Sequence, residues 1–260
     1  MVVRSNSWRP IITPTKISAT LLTMFTVCSA PAYAQLEEIV VTAQKRAESI
    51  QDVPIAISAF SEQGLEEIKA VDVADIAIRT PNFKTTQSNV GEPQYNIRGV
   101  GSTSDSAGSD PTVPVFIDEI YIARPAASNF DFFDLERVEV LRGPQGTLFG
   151  RNTTGGAVSV TTKKPDISET YGKAQIVIGN HGLTEVRLVG NLPVSDTLAI
   201  KGSLSKRDRD GFASTATTNE EIDEVDNISG RLQALYEPSD TATWLFSVDL
   251  RKMITAVVPE

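Results

Sequence analysis

Cysteine is almost absent from this 260-residue chain. The single one, Cys28, falls in the first 34 residues, so a chain starting after them has no disulfide framework, no thiolate metal site and no cysteine nucleophile. Histidine is equally scarce. His181 is the only one; it sits in an expected tight turn and reads as a surface residue, with no His/Asp/Glu cluster at metal-ligand spacing. There is no imidazole-based triad and no Gly-x-Ser-x-Gly elbow. The acidic pairs Glu37-Glu38 and Glu220-Glu221 read as solvated acid, so no enzyme reading survives and no cofactor is expected. Basic residues are outnumbered 24 to 33, for a net charge of −9. That balance argues against nucleic acid, whose phosphates require basic patches. No stretch after residue 34 approaches eighteen consecutive apolar residues, which excludes a transmembrane helix. It does not exclude a membrane barrel, whose strands are roughly ten-residue alternating segments of weak hydropathy.

Residues 1–34 read as an export signal. Arg4, Arg9 and Lys16 give a basic start, Ile17 to Ala30 is mainly apolar, and Ala32-Tyr33-Ala34 supplies the small-x-small cleavage pattern. The mature chain is expected to begin at Gln35 and to carry 21 basic against 33 acidic residues. Phe25-Thr26-Val27, ahead of Cys28, is too bulky for a lipoprotein box, so no lipid anchor is expected. Immediately afterwards comes Glu37-Glu38-Ile39-Val40-Val41-Thr42-Ala43-Gln44-Lys45-Arg46. Its β-branched core, Ile39 to Ala43, suits an ordinary first strand, or a segment that adds itself to the sheet edge of another protein.

From 49 to 165 the pattern is mixed. Val53–Phe60, Tyr95–Val100 and Val113–Glu119 read as strands, and Ser61 and Asp72 open short helices, the second stopped before Pro81. Segments 81–92 and 101–111 read as exposed loops. Asp134–Arg142 alternates charged and aliphatic residues, as a strand with one wet or ion-paired face would, and Gly155–Thr162 reads as the closing strand. The glycines at 143, 146, 150, 155 and 156 read as turn chemistry; no Lys-Ser or Lys-Thr follows at the spacing a phosphate-binding loop needs. Asn152-Thr153-Thr154 and Asn227-Ile228-Ser229 match a glycosylation pattern by chance in an exported bacterial-type protein.

From Tyr171 onward the rhythm is period two: about five strands, each apolar on one face and polar or charged on the other. Connections at 180–182, 193–196 and 238–240 are short, whereas 208–227 is long and acidic. A soluble sandwich also alternates. Long strands, ionised residues suited to a wet lumen, and Tyr236 and Trp244 near strand ends favour a membrane barrel.

The order of these features resembles a TonB-dependent outer-membrane receptor. The resemblance is carried by Glu37–Ala43, by Asn96-Ile97-Arg98-Gly99, by Phe116-Ile117-Asp118-Glu119, by the run Arg137–Arg151 and by Gly155–Val160. It implies a signal peptide at 1–34, a TonB box and linker at 35–48, a plug domain at 49–165 and barrel strands at 170–260. The fold class implied is an α+β plug followed by antiparallel strands of an incomplete transmembrane β-barrel. Ile39, Val40, Val41, Thr42 and Ala43 would be the segment that TonB, energised through ExbB and ExbD, captures by sheet augmentation. Arg137, Glu139 and Arg142 resemble plug residues that pair with the barrel wall. Ligand recognition would fall on the outward plug loops, Ser102, Thr103, Ser104, Asp105 and Ser106 among them, although a solvated loop explains each equally well.

The family's barrel has about 22 strands and needs on the order of 400 residues, so the resemblance leads us to expect an N-terminal portion that does not transport alone. Gln35 and Leu36 leave no room for a signalling domain ahead of the TonB box. The expected role is uptake of a ferric siderophore or similar scarce nutrient across the outer membrane. The alternatives are an exported plug-type module that engages TonB or a ligand without forming a channel, and a soluble β-sandwich adhesin.

Overall fold

The computed structural model describes residues 40–42, 45–46, 48–89, 92–102, 109–128, 130, 132–211, 213–214, 221–222 and 224–254. They belong to one compact unit, Glu38–Glu260. The expected signal, 1–34, lies outside the described residues, as do Ile39 and Ala43.

The chain opens with a small ladder, β1 (Val40–Val41) against β2 (Glu48–Ser49). The plug follows with β3 (Ile57–Ser61), α1 (Glu62–Glu67), α2 (Val73–Arg79), β4 (Phe83–Asn89), β5 (Glu92–Ile97), β6 (Val100–Gly101), β7 (Val115–Ile117), β8 (Ile120–Ile122), α3 (Pro125–Ser128), β9 (Leu135–Arg142), α4 (Gly146–Phe149) and β10 (Gly156–Thr162). Its main sheet has the order β3-β9-β10-β7-β8, parallel only between β7 and β10. Strands β9 and β10 lie inside this sheet, and Val138, Val140, Leu141, Ala157, Val158 and Val160 are completely buried. Leu65, Val73, Ile76, Phe83, Ile97, Phe130 and Phe132 complete the core from the helices, the second sheet and the segment before β9.

Both helices start where their caps dictate. The Ser61 hydroxyl accepts from Gly64 N–H at 3.2 Å, and the Asp72 carboxylate accepts from Ala74 N–H at 2.7 Å and Asp75 N–H at 3.2 Å. Burial, reinforced by the neighbouring Asp75 carboxylate, pushes the Asp72 carboxyl above its ordinary range.

Several elements depart from the sequence pattern for identifiable reasons. The first plug strand begins at Ile57 rather than Val53; Pro54 lacks an N–H and restricts the residue before it. The expected strand 95–100 is broken by Arg98 (φ 54°) and Gly99 (φ 82°), which turn β5 into β6. The strand expected over 113–119 stops at Ile117, because Asp118 (φ 48°) and Glu119 (φ 69°) form a left-handed turn into β8. That unusual backbone is held by the Asp118 carboxylate, which accepts from Thr162 N–H and Thr162 Oγ1, both at 2.8 Å. Segment 81–92 is not a loop, since β4 pairs with β5 from Phe83↔Ile97 onward. Strand β9 carries the charged face expected of it, ion-paired rather than wet at Glu139, which is fully buried beside Arg137. The turn α4 was not anticipated.

At Gly156 (φ 150°) a Cβ would lie 2.2 Å from the Leu141 carbonyl oxygen. Only glycine lets β10 start this close to β9.

The second territory is a five-stranded antiparallel meander: β11 (Tyr171–Ile178), β12 (Thr184–Ser195), β13 (Leu198–Arg209), β16 (Val225–Ser239) and β17 (Ala242–Ile254). Between β13 and β16, β14 (Ala213–Ser214) pairs with β15 (Glu221–Ile222). Two strands run past their prolines, to Ser195 and Ser239, with register irregularities at Pro193/Ser195 and Tyr236/Ser239. The sheet is apolar on the outside and polar within. Leu188, Leu192, Leu232, Trp244, Phe246 and Leu250 are exposed, whereas Glu185, Asn191, Lys201, Ser203, Arg231 and Gln233 are buried toward the plug. A lipid-facing wall around a hydrated lumen requires this inversion. Among the described residues no helix is long and apolar enough to cross a membrane.

Candidate functional site

The N-terminal segment is docked on the plug. Val41 is completely buried, and β1 pairs Val40↔Ser49 and Val41↔Glu48. One residue on, Thr42 donates its N–H to Glu139 Oε1 at 2.7 Å, and Arg137 Nη2 donates to Thr42 Oγ1 at 3.0 Å. Arg137 Nε lies 3.1 Å from the same Glu139 oxygen, and its Nη1 pairs with Glu136. The segment closes with a turn, Lys45 N–H to Thr42 C=O at 2.8 Å, and Lys45 reaches Glu119 at 2.9 Å. Burying a carboxylate is costly unless charged and hydrogen-bonded partners surround it. Glu139 meets that condition through Oε1 alone, and only while Arg137 and Thr42 are in place; its buried Oε2 makes no hydrogen bond among the described residues.

Among the described residues, the contacts of Arg137, Glu139 and Arg142 lie within the plug and the N-terminal segment. Arg137 and Glu139 hold Thr42, and Arg142 Nη2 reaches the Ile57 carbonyl at 3.5 Å. Contacts to the five wall strands come from residues the sequence did not single out. Asp134 pairs with Lys201 at 2.7 Å, with both side chains buried. Glu66 pairs with Lys173, Glu62 lies 3.9 Å from the same ammonium, and Arg251 stacks 4.8 Å over the Phe130 ring; outside the wall, Glu62 also pairs with Lys163 at 2.8 Å. Burial pushes the Asp134 carboxyl up, against the opposing pull of Lys201. The hydrogen bond to Glu62 raises the Lys163 ammonium above its ordinary value. Charged residues inside an alternating strand were the available signal, but only cross-strand register shows which of them meet the plug. A cavity of about 700 Å³ lies between plug and wall, bounded by Glu62, Lys69, Phe132, Lys163, Lys173 and Arg187.

Of the expected ligand residues, Ser102 lies 3.4 Å from Ser109, hydroxyl to hydroxyl. Both line a pocket of about 30 Å³ beside Tyr95 and Arg124, room for about one water. Thr103, Ser104, Asp105 and Ser106 lie outside the described residues. Tyr95 accepts from the Ser128 hydroxyl at 3.2 Å, and burial pushes its phenol above the ordinary value. His181 (φ 55°) sits in the β11–β12 turn as expected, and among the described residues no group of acidic, His or Cys side chains is placed to hold a metal ion.

A mixed sheet packed inside a meander that is polar within and apolar without defines an outer-membrane wall-and-plug protein. The family model for the TonB-dependent receptor plug domain matches residues 49–157. The chain belongs to the TonB-dependent outer-membrane receptors, a family of receptors and transporters. It is 30% identical over 221 residues to an iron-regulated outer membrane virulence protein of Vibrio cholerae, covering 76% of this chain and 32% of that relative. It is 27% identical over 156 residues to the vitamin B12 transporter BtuB of Vibrio vulnificus, covering 58% of this chain and 25% of that one. The chain thus spans about a third or less of the length of these relatives. Among solved structures, the ferric yersiniabactin uptake receptor FyuA of Yersinia pestis superposes with a TM-score of 0.69 at 22% identity, covering 75% of this chain and 31% of that one. The FpvA receptor of Pseudomonas aeruginosa with a bound ferric pyoverdine superposes with a TM-score of 0.68 at 18% identity, covering 82% and 27%. Both likenesses concern the fold.

Proposed function

We propose that this chain supplies the TonB-capturing segment, the plug and five wall strands of a receptor that takes up a scarce nutrient, a ferric siderophore or a similar chelate. Uptake is energised by TonB with ExbB and ExbD. The observation that carries this reading is the docked segment. Val40–Val41 is already a strand, held by one two-residue ladder, and Thr42 beside it is held by Glu139 and Arg137. Such a segment can exchange its ladder on the plug for another sheet edge. Ile39 and Ala43 flank it in the sequence. The iron-regulated relative and the siderophore receptors with the same fold support the ligand class.

The test is binding of a TonB C-terminal domain to the full chain in detergent, beside Val41→Pro. Proline removes a ladder donor, so saturable binding by the parent and none by the variant is the expected result. Equal binding by both, or none by either, refutes the assignment of 39–43.

A further inference from the structure

One inner row of the wall carries three long polar side chains in register. Asn191 on β12 lies opposite Lys201 on β13, and Lys201 lies opposite Gln233 on β16. None is more than 2% exposed. All three face the same stretch of plug, the end of β10 and the link to β11. Asn191 donates through Nδ2 to the carbonyls of Asp166 (2.8 Å) and Glu169 (2.6 Å) and accepts from Asp166 N–H at 3.0 Å. Lys201 donates to the Lys163 carbonyl while pairing with Asp134. Gln233 Nε2 donates to Thr162 Oγ1 at 3.2 Å, and Thr162 Oγ1 in turn donates to Asp118.

We infer that the row Asn191–Lys201–Gln233 is the plug's fixed anchor: it clamps residues 162–169 to the wall, so that remodelling of the plug stops at Thr162. The contrast with the rest of the plug supports this. Glu62 and Glu66 on the plug and Lys173 on the wall are each 40% exposed or more at the side chain and pair in reach of water, where a pair contributes at most about 1 kcal/mol. On the anchor it is the wall side chains that are buried, none more than 2% exposed, while the segment they hold lies nearer the surface. Breaking one leaves a polar group without water, which costs more than an exposed pair gains. The adjacent inner row offers a built-in comparison. Ser203 and Ser205, on the same strand and the same face, are also buried but make no hydrogen bond through their hydroxyls. The anchor goes beyond the uptake reading, because it concerns where the plug is held rather than what pulls on it or what passes.

Hydrogen exchange followed by mass spectrometry on the full chain, refolded in detergent micelles, tests it. In Asn191→Ala and Lys201→Met, amides of 163–169 should exchange at least tenfold faster, with β9 unchanged within about twofold. Ser203→Ala and Ser205→Ala should leave 163–169 at the parent rate. If Lys201→Met does not fold, Asn191→Ala decides, since it removes three hydrogen bonds and strands no buried charge. Parent-like exchange at 163–169 in the row variants overturns the anchor. Equal loosening of 163–169 and β9 overturns it too, because the row would then be ordinary packing.

Discussion

Replacing Glu139 by methionine should release the docked N-terminal segment while leaving its own residues untouched. Glu139 accepts the Thr42 N–H at 2.7 Å and balances Arg137 at 3.1 Å. A hydrogen bond to a buried carboxylate contributes about 2 kcal/mol. Methionine fills nearly the same volume and leaves no buried charge, and Arg137 keeps its partner Glu136, so the plug itself should stay folded. Apparent affinity for a partner that needs the segment free scales with the undocked fraction, so a loss of about 2 kcal/mol tightens binding about thirtyfold. The assay is titration of a labelled TonB C-terminal domain into detergent-solubilised chain, read by fluorescence anisotropy. Glu136→Gln, which alters only the exposed side of Arg137, serves as control and should bind like the parent. Unchanged affinity in Glu139→Met would refute the reasoning, because the carboxylate would then not be what holds the segment down.

Other consequences are as direct. Asp72→Ala should cost about 1 kcal/mol through the lost cap of α2, measured by denaturant unfolding of the plug. Asp72→Asn keeps the cap, and its effect should depend on pH. A carboxyl whose folded-state pKa is raised stabilises the fold less as pH climbs from the unfolded value near 3.8 through the raised one. Asparagine should therefore gain stability over aspartate at pH 7 and show no advantage at pH 3, and a constant difference would contradict this. Gly156→Ala should cost about 3 kcal/mol or more, since its Cβ meets the Leu141 carbonyl and its φ disfavours any side chain; protease sensitivity around β10 reads it out. Leu232→Arg, mid-strand on the apolar face of the wall, should cost about 2–4 kcal/mol on folding into vesicles, and a neutral result would move that face out of lipid.

The wall was legible because a period-two pattern survives in sequence whichever face is wet. Leu198, Ile200 and Leu204 alternating with Lys201, Ser203 and Ser205 needed only the count. The helix caps at Ser61 and Asp72 were legible for a similar reason: the capping oxygen and the apolar run after it are local. Hairpin β4–β5 was hidden, because after Phe83 the run Lys84-Thr85-Thr86-Gln87-Ser88-Asn89 is polar on both faces and shows no apolar alternation. The turn at Asp118–Glu119 was hidden for another reason. Non-glycine residues adopt positive φ there only because Thr162, far along the chain, supplies the hydrogen bonds. The docking of Thr42 and the Asn191–Lys201–Gln233 row depend on register between elements, which residue identity does not encode by itself.

The order of strands in the plug sheet sets a timetable for biogenesis. Ile57 pairs with Leu141 and Ser61 with Arg137, so β3 has no partner until most of the plug has been delivered. Non-local pairing of this kind folds slowly, since the loop must close before any contact rewards it. A chain exported N-terminus first therefore waits in the periplasm with an unsatisfied strand, followed by wall strands whose apolar faces find no lipid on the way. Both hazards are of the kind that escort proteins suppress.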